Sequence, residues 1–309
     1  MFEYSDTNKR YHTYSYYLKQ KYQTKVAKLS FDGGYTCNNR DGSKGFGGCI
    51  FCGGKLVKGY DVDTIDFASQ YLNAKKIMDR KWPNLKYIAY LQNFSNTYRP
   101  FEDNVKIYER VISFKDIVGL NIATRCDCID DDTLNYLDYL CDKVDVTLEL
   151  GLQSSFNQTL QDCNINYTYE DFLLAYERIK RTRVKLVVHL INGLPNETVD
   201  MMLETAKKLS KLDIDGVKIH MLHIMYDTIL YKRYLNCPFP LLTLGEYCQL
   251  VVDQIRLFKP EVVIHRLTGD SIKEYLHEPK WTLNKTNVLN SIDKLMVKLD
   301  CFQGDKYEL

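Results

Sequence analysis

Short apolar runs alternate along this chain with longer segments in which apolar residues recur every three or four positions. The first pattern marks strands buried on both faces and the second marks amphipathic helices. Strands are predicted at Val26–Phe31, Lys86–Gln92, Ile117–Thr124, Val144–Leu150, Val184–Ile191, Gly216–His220 and Val262–Arg266. Helices are predicted at Asp63–Arg80, Asp103–Ser113, Asp131–Cys141, Tyr169–Arg181, Thr198–Leu212 and Leu244–Phe258, with Asn284–Leu299 closing the chain. Ile65, Ala68, Tyr71, Leu72 and Ile77 give the first of these its helical spacing, and Asp130 or Asp131 is the expected N-cap of the third. Strand-then-helix alternation implies a parallel sheet with right-handed crossovers. Without a mid-chain linker, it predicts an α/β fold: a partial or near-closed parallel TIM-like barrel of six or seven (βα) units. The expected organisation is an arm over residues 1–24 and a barrel domain over 25–309, with a helical C-terminal extension over about 226–309. An open doubly wound sheet also satisfies the alternation.

The barrel reading changes how the polar residues are understood, because parallel barrels bind ligands at the C-terminal ends of their strands. Gln92, Ser95, Asn96 and Thr97 follow the second strand, Thr124, Arg125 and Asp127 the third, and Glu149 and Gln153 bracket the end of the fourth. His189 and Gly193 mark the end of the fifth, Lys218, His220 and His223 the sixth, and His265, Arg266 and Asp270 the last. One histidine at a strand end is usually a satisfied core residue. Polar groups at every strand end, facing one mouth, point to a site.

Cys37, Cys49 and Cys52 lie after the first strand, in the glycine-rich segment GYTCNNRDGSKGFGGCIFCGG. Glycine lets a loop adopt left-handed dihedrals and wrap a bulky object. Three thiolates from one loop point to an iron–sulfur cluster with one iron left open, and structural zinc or plain thiols balance that reading on spacing alone. Zinc sequences usually hold two close pairs, whereas here Cys49 and Cys52 form the single CxxC.

Composition narrows the partners. The 309-residue chain has a net charge of +1, which excludes a globally basic nucleic-acid binder. No run approaches a membrane span and the N-terminal stretch has no apolar core, so no membrane association is expected. Ten cysteines without a secretory pattern point to a reducing, cytoplasmic setting. Tyr4, Tyr11, Tyr14, Tyr16 and Tyr17 interleave with Lys9, Arg10, His12, Lys19, Lys21 and Lys25 in the arm. That mixture serves single-stranded RNA, but tyrosines packed onto the main domain are the commoner use. Lys180, Arg181, Arg183 and Lys185 form a second basic group.

The motifs TCNNRDGSKGFGGCIFC, YLQNFSNTY, GLNIATRCDC, LELGLQSS, HLINGLP, DGVKIHMLH and VVIHRLTGD cover the chain almost end to end. Together they resemble the radical S-adenosylmethionine superfamily in its YhcC-like branch. The resemblance implies a 4Fe–4S cluster on Cys37, Cys49 and Cys52, with S-adenosylmethionine on its fourth iron and cleavage to a 5′-deoxyadenosyl radical. It implies Phe51 against adenine, Ser95, Asn96 and Thr97 at the methionine amino group, Glu149 and Gln153 at ribose, and Gly193 and Leu194 beside adenine. Gln92, Arg125 and His189 complete the expected cofactor pocket. Glu149 also has an internal alternative, an ion pair with Arg125 or Lys218. His220, His223, His265, Arg266 and Asp270 are candidates for substrate binding or proton transfer, and Cys128 for hydrogen-atom donation or simple packing. The branch is close to enzymes of the transfer-RNA wobble uridine, which implies conversion of a carboxymethylaminomethyl side chain to aminomethyl. An electron donor such as flavodoxin or ferredoxin is implied too. A small-molecule substrate such as a tetrapyrrole, or a non-catalytic structural-metal protein, are the alternatives. The family commonly has proline where Cys126 stands.

Overall fold

A computed structural model describes residues 2–53 and 62–308; the last glycine of the cysteine motif, Gly54, lies outside them. The chain opens with α1 (Tyr14–Tyr22) and β1 (Val26–Phe31), followed by α2 (Phe67–Asp79), β2 (Lys86–Leu91), α3 (Phe101–Ile112) and β3 (Ile117–Thr124). Then come α4 (Asp131–Leu140), β4 (Asp145–Gln153), α5 (Asn157–Asp162), α6 (Tyr169–Ile179), β5 (Lys185–Asn192) and α7 (Val199–Ser210). The C-terminal part holds β6 (Gly216–Met221), β7 (Ile224–Met225), α8 (Ile229–Asn236), α9 (Leu244–Leu257), β8 (Val263–Arg266), β9 (Leu276–Glu278) and α10 (Lys285–Lys298).

Seven parallel strands pair in the order β1-β2-β3-β4-β5-β6-β8 and curl into a half-barrel. The strands are buried on both faces because helices cover the outside. Leu120, Ile122, Leu148, Leu150, Leu186 and Val188 are sealed between sheet and helices, against Ile107 and Val111 of α3, Leu137 of α4, Phe172 of α6 and Leu209 of α7. β8 returns to the sheet after α9, so the C-terminal region supplies a barrel strand as well as helices.

The arm closes the opposite end of the half-barrel from the cysteine loop. Ile264 N–H donates to His12 O at 2.8 Å, and Thr13 forms a parallel bridge with Ile264, so the arm extends the β8 edge. The Thr13 hydroxyl then caps α1 by accepting from Tyr16 N–H. Tyr14 stacks on His265, Tyr17 accepts from Lys185 and Tyr22 donates to Asp145. The arm's tyrosines are thus committed to packing beneath the barrel.

Boundaries differ from expectation where local chemistry decides. The helix expected from Asp63 begins at Phe67, because Asp66 caps it, and a separate short turn spans Val62–Thr64. It buries Phe67 and Tyr71, while Leu72 and Ile77 face outward. Cys126–Cys128 is a buried helical turn rather than a strand end.

Candidate functional site

The cysteine loop is held by its own backbone. Cys37 O accepts from Arg40 N–H at 2.8 Å, Asn38 O from Lys44 N–H at 2.9 Å, Asn39 O from Gly48 N–H at 2.8 Å, and Cys49 O from Cys52 N–H at 2.9 Å. Gly48 has φ +78°, and a Cβ there would meet Arg40 Cγ at 2.8 Å, so glycine is required on both counts. Two outside anchors fix the loop: Ile50 N–H donates to Cys163 O at 3.0 Å, and Leu230 N–H at the start of α8 donates to Ile50 O at 2.8 Å.

Cys37, Cys49 and Cys52 all line one cavity of about 480 Å³ at the C-terminal ends of the strands. Among the described residues no three His, Cys, Asp or Glu side chains converge tightly enough for a single metal ion. A cubane spreads its thiolates around a body wider than a single ion, and the cavity beside these cysteines leaves open space for one. The donor set fits a cluster in a second way. Asn39 Nδ2 donates to Cys49 Sγ at 3.6 Å and Arg40 Nη1 to Cys52 Sγ at 3.5 Å, contacts that stabilise sulfur carrying negative charge. Burial pushes the Cys49 thiol up to about 12 and raises Cys52 as well, so a bound metal centre is what would hold them as thiolates in this enclosure.

The same cavity is lined by Phe51, Gln92, Ser95, Arg125, Glu149, Gln153, His189, His220, His223, Arg266 and Asp270. Gln153 reaches it through strain: its φ is +68°, and the β4–β5 register slips between Gly151 and Gln153. Gly151 is part of the cradle, since a Cβ there would meet Gln153 Nε2 at 2.3 Å. His220 Nε2 and His223 Nε2 are buried and have no hydrogen-bond partner, which suits a site waiting for polar ligand atoms.

Several expected residues stand elsewhere. Asn96 and Thr97 do not line the cavity. Asn96 Nδ2 donates to Ala123 O at 2.8 Å, and Thr97 Oγ1 lies 2.7 Å from Thr124 Oγ1, so both staple the loop after β2 to β3. Gly193, φ +89°, lines a separate small cleft, and Leu194 is core; Ile191 faces the main cavity instead. Cys128 opens onto a neighbouring shallow recess beside Thr97, and burial pushes its thiol up to about 12. His265 lies below the site, stacked on Tyr14, because the β6–β8 pairing slips there. Three members of the basic group pair with acids: Lys180 with Asp213, Arg183 with Asp138 and Asp142, and Lys185 with Asp145, while Arg181 is exposed.

Glu149 is the largest departure. It is fully buried, and both its oxygens are taken. Lys28 Nζ donates to Oε1 at 2.9 Å and Asn121 Nδ2 to the same atom at 2.8 Å. Lys218 and His189 occupy Oε2, His189 Nε2 at 3.2 Å. Since a carboxylate only accepts, His189 carries its proton on Nε2. Burial alone would raise the Glu149 pKa, but Lys28 and Lys218 hold it well below the carboxylate range. With no lone pair left over, Glu149 is a structural hub rather than a ribose ligand, paired with Lys218 and not with Arg125. Arg125 instead pairs with Asp127 at 2.8 Å.

Lys28, Asn121, Tyr90 and Arg40 carry no expectation from the sequence. A lysine between Ala27 and Leu29 in a buried strand is the one local signal that could have found the hub.

Comparison with known proteins agrees with this geometry. The radical SAM superfamily model matches residues 34–209, and the radical SAM C-terminal domain model matches 214–298. The Bacillus subtilis protein YtqA is 39% identical over 99% of this chain and 96% of its own length. Escherichia coli YhcC is 30% identical over 90% of each chain. Elongator complex protein 3 of Schizosaccharomyces pombe is 26% identical over 60% of this chain and 34% of its own. Among solved structures, the archaeal Methanocaldococcus infernus Elp3 superimposes with a TM-score of 0.68 at 18% identity, covering 90% of this chain. This chain spans 64% of that protein, and the likeness speaks for the fold.

Proposed function

The chain belongs to the radical SAM superfamily, and from that premise we propose that it modifies the wobble-uridine side chain of transfer RNA, taking carboxymethylaminomethyl to aminomethyl. Cys37, Cys49 and Cys52 would hold a 4Fe–4S cluster, with S-adenosylmethionine beside it. When bound, these groups supply one-electron cleavage of the C–S bond, yielding methionine and a 5′-deoxyadenosyl radical.

The observation that carries the reading is the shared cavity: three thiols, Phe51, Gln153 and two unpartnered histidines open onto one space at the strand ends. Phe51 offers an aromatic face to a flat heterocycle. Gln92 and Gln153 offer amide donors and acceptors. The cavity's apolar wall at Ile191, Met221 and Leu222 excludes water from a reactive species. Burial lowers His223 to about 4 and pushes His220 in the same direction, so both imidazoles favour the neutral form and can hydrogen-bond to a ligand.

The substrate assignment rests on motif resemblance and on partial similarity to Elongator complex protein 3. One observation favours a small molecule instead: Tyr14 and Tyr17 of the arm, and Lys180, Arg183 and Lys185 of the basic group, are internally committed. A cytoplasmic location and a flavodoxin-like or ferredoxin-like donor complete the proposal. No helix of the described residues is long and apolar enough to cross a membrane.

Nucleoside mass spectrometry of transfer RNA from a deletion strain tests the substrate. Carboxymethylaminomethyluridine derivatives accumulate at the expense of aminomethyl forms if the reading is right. An unchanged profile rejects the substrate. Anaerobic reconstitution tests the chemistry separately: the protein turns brown and cleaves S-adenosylmethionine on reduction.

A further inference from the structure

The inner wall of the half-barrel carries more cations than anions. Among the described residues Lys28 and Lys218 share Glu149, and Arg266 pairs with Asp270, which also takes the partly exposed Lys285 from outside the cavity lining. Lys218 side-chain exposure is 6%, and Glu149 is sealed at 0%, so solvent screens the hub poorly. Burial favours the neutral forms of the tyrosines and histidines around the hub. Burial raises Tyr14 and Tyr90 and lowers His189, His220 and His265. Burial likewise depresses the Lys218 ammonium to about 8, a sign that its single carboxylate does not fully offset its desolvation.

Lys218 lines the cavity together with Arg266 and the unpartnered imidazole nitrogens of His220 and His223. Tyr90 holds the ammonium from one side: Lys218 Nζ donates to Tyr90 OH at 3.1 Å and lies 4.7 Å from the ring centroid. The positive charge left over at the Glu149 hub, next to polar atoms without partners, makes a receptor for an anion. Carboxylate is the class that matches, because it accepts from an ammonium, a guanidinium and an imidazole N–H at once.

We propose that Lys218, with Arg266, His220 and His223, forms a carboxylate-binding subsite for the substrate, and that Lys28 maintains its positive charge by occupying half of Glu149. The subsite deepens the function proposed above and rests on it for the identity of the carboxylate bearer. Lys218 is a binding residue here, and Lys28 a positioning residue acting through Glu149.

The test compares three probes on the reconstituted enzyme with S-adenosylmethionine present: 5-carboxymethylaminomethyluridine, its carboxamide, and acetate. Wild type prefers the carboxylate nucleoside over the carboxamide by about tenfold or more, the scale of one hydrogen bond to a charged group. Lys218→Met loses the preference, Lys218→Arg keeps it, and S-adenosylmethionine affinity stays within about twofold in both. Lys28→Met provides a variant that should fold, since it leaves a balanced Glu149–Lys218 pair; it too loses the preference. Equal affinity for carboxylate and carboxamide, without acetate protection against thermal unfolding, overturns the subsite. A parallel fall in S-adenosylmethionine affinity also overturns it, by assigning the charge to the cofactor. Acetate protection that Lys218→Met abolishes, without discrimination between the nucleosides, keeps the subsite and rejects the uridine substrate.

Discussion

Lys28 on β1 donates to Glu149 on β4 at 2.9 Å, across the interior of the half-barrel. The bond joins strands that are not neighbours in the sheet, so it braces the curl as well as neutralising charge. Glu149→Ala strands Lys28 and Lys218 in a buried space, and the expected loss of stability is about 3–5 kcal/mol. Equilibrium urea denaturation measures it. A loss below about 1 kcal/mol, within the range of an exposed pair, would show that the hub is solvated.

Acid should weaken the fold through its buried histidines, a trend that the Glu197 carboxyl, raised by burial to about 7, opposes only in part. His189 and His223 are both held near about 4 by burial, against 6.5 for the free side chain. Between those values the unfolded chain binds protons that the folded chain refuses, so stability is full above about pH 6.5 and falls toward pH 4. Each such histidine contributes a slope of about 1.4 kcal/mol per pH unit within that window. Denaturation midpoints at pH 7.5, 6.5 and 5.5 should decline, and His223→Asn should flatten the curve. A flat wild-type profile contradicts the burial of these rings.

Gly48→Ala places a methyl group against Arg40 Cγ at a backbone φ of +78°. The dihedral alone costs about 1–2 kcal/mol, concentrated in the cysteine loop. Iron and sulfide content per chain should fall while far-ultraviolet circular dichroism stays near wild type. Gly245→Ala is the control, since nothing lies within 4 Å of its added Cβ and it sits in α9.

Arg40 places a guanidinium 3.5 Å from Cys52 Sγ. Positive charge and an N–H donor at a cluster sulfur favour the more negative, reduced state. Arg40→Ala should shift the reduction potential to more negative values and slow reductive cleavage of S-adenosylmethionine, with iron content retained. Potentiometric titration followed by electron paramagnetic resonance reads the shift. An unchanged potential would mean that the contact is merely structural.

Tyr14→Ala should act on stability and not on RNA. Its ring lies 3.9 Å from that of His265, and its removal opens a cavity beneath the barrel with a cost of about 3–5 kcal/mol. Replacing the exposed Lys19 with alanine breaks one pair with Asp6 and should change little. Transfer-RNA affinity falling with Lys19→Ala, at unchanged stability, would restore the arm as an RNA contact.

The seven barrel strands were legible because each is a compact apolar run, and the strand-end rule placed most of the cavity. α1 was not legible. Its YSYYLKQKY sequence has no apolar stripe, and the helix forms because the open base of the barrel accepts tyrosines at several angles. β7, β9 and α5 are too short to show a period. Glu149 was found as an important acid with Lys218 as an alternative partner, and the structure has that pair; Lys28 and Asn121, which saturate its other oxygen, come from other strands and could not be read locally. His265 was misplaced by one register slip that no local pattern announces.

The bridge between Thr13 and Ile264 has a consequence for biosynthesis. Residue 13 pairs with residue 264, so the earlier segment meets this neighbour only after the intervening strands have been made. Contacts of such separation form slowly, and a nascent chain on the ribosome holds Thr13 and Tyr14 without their β8 partners until Val263–Arg266 emerges, even where Tyr17 and Tyr22 have met β5 and β4. A variant that stalls before Val263 should therefore be cut by proteases near Thr13 faster than the finished chain.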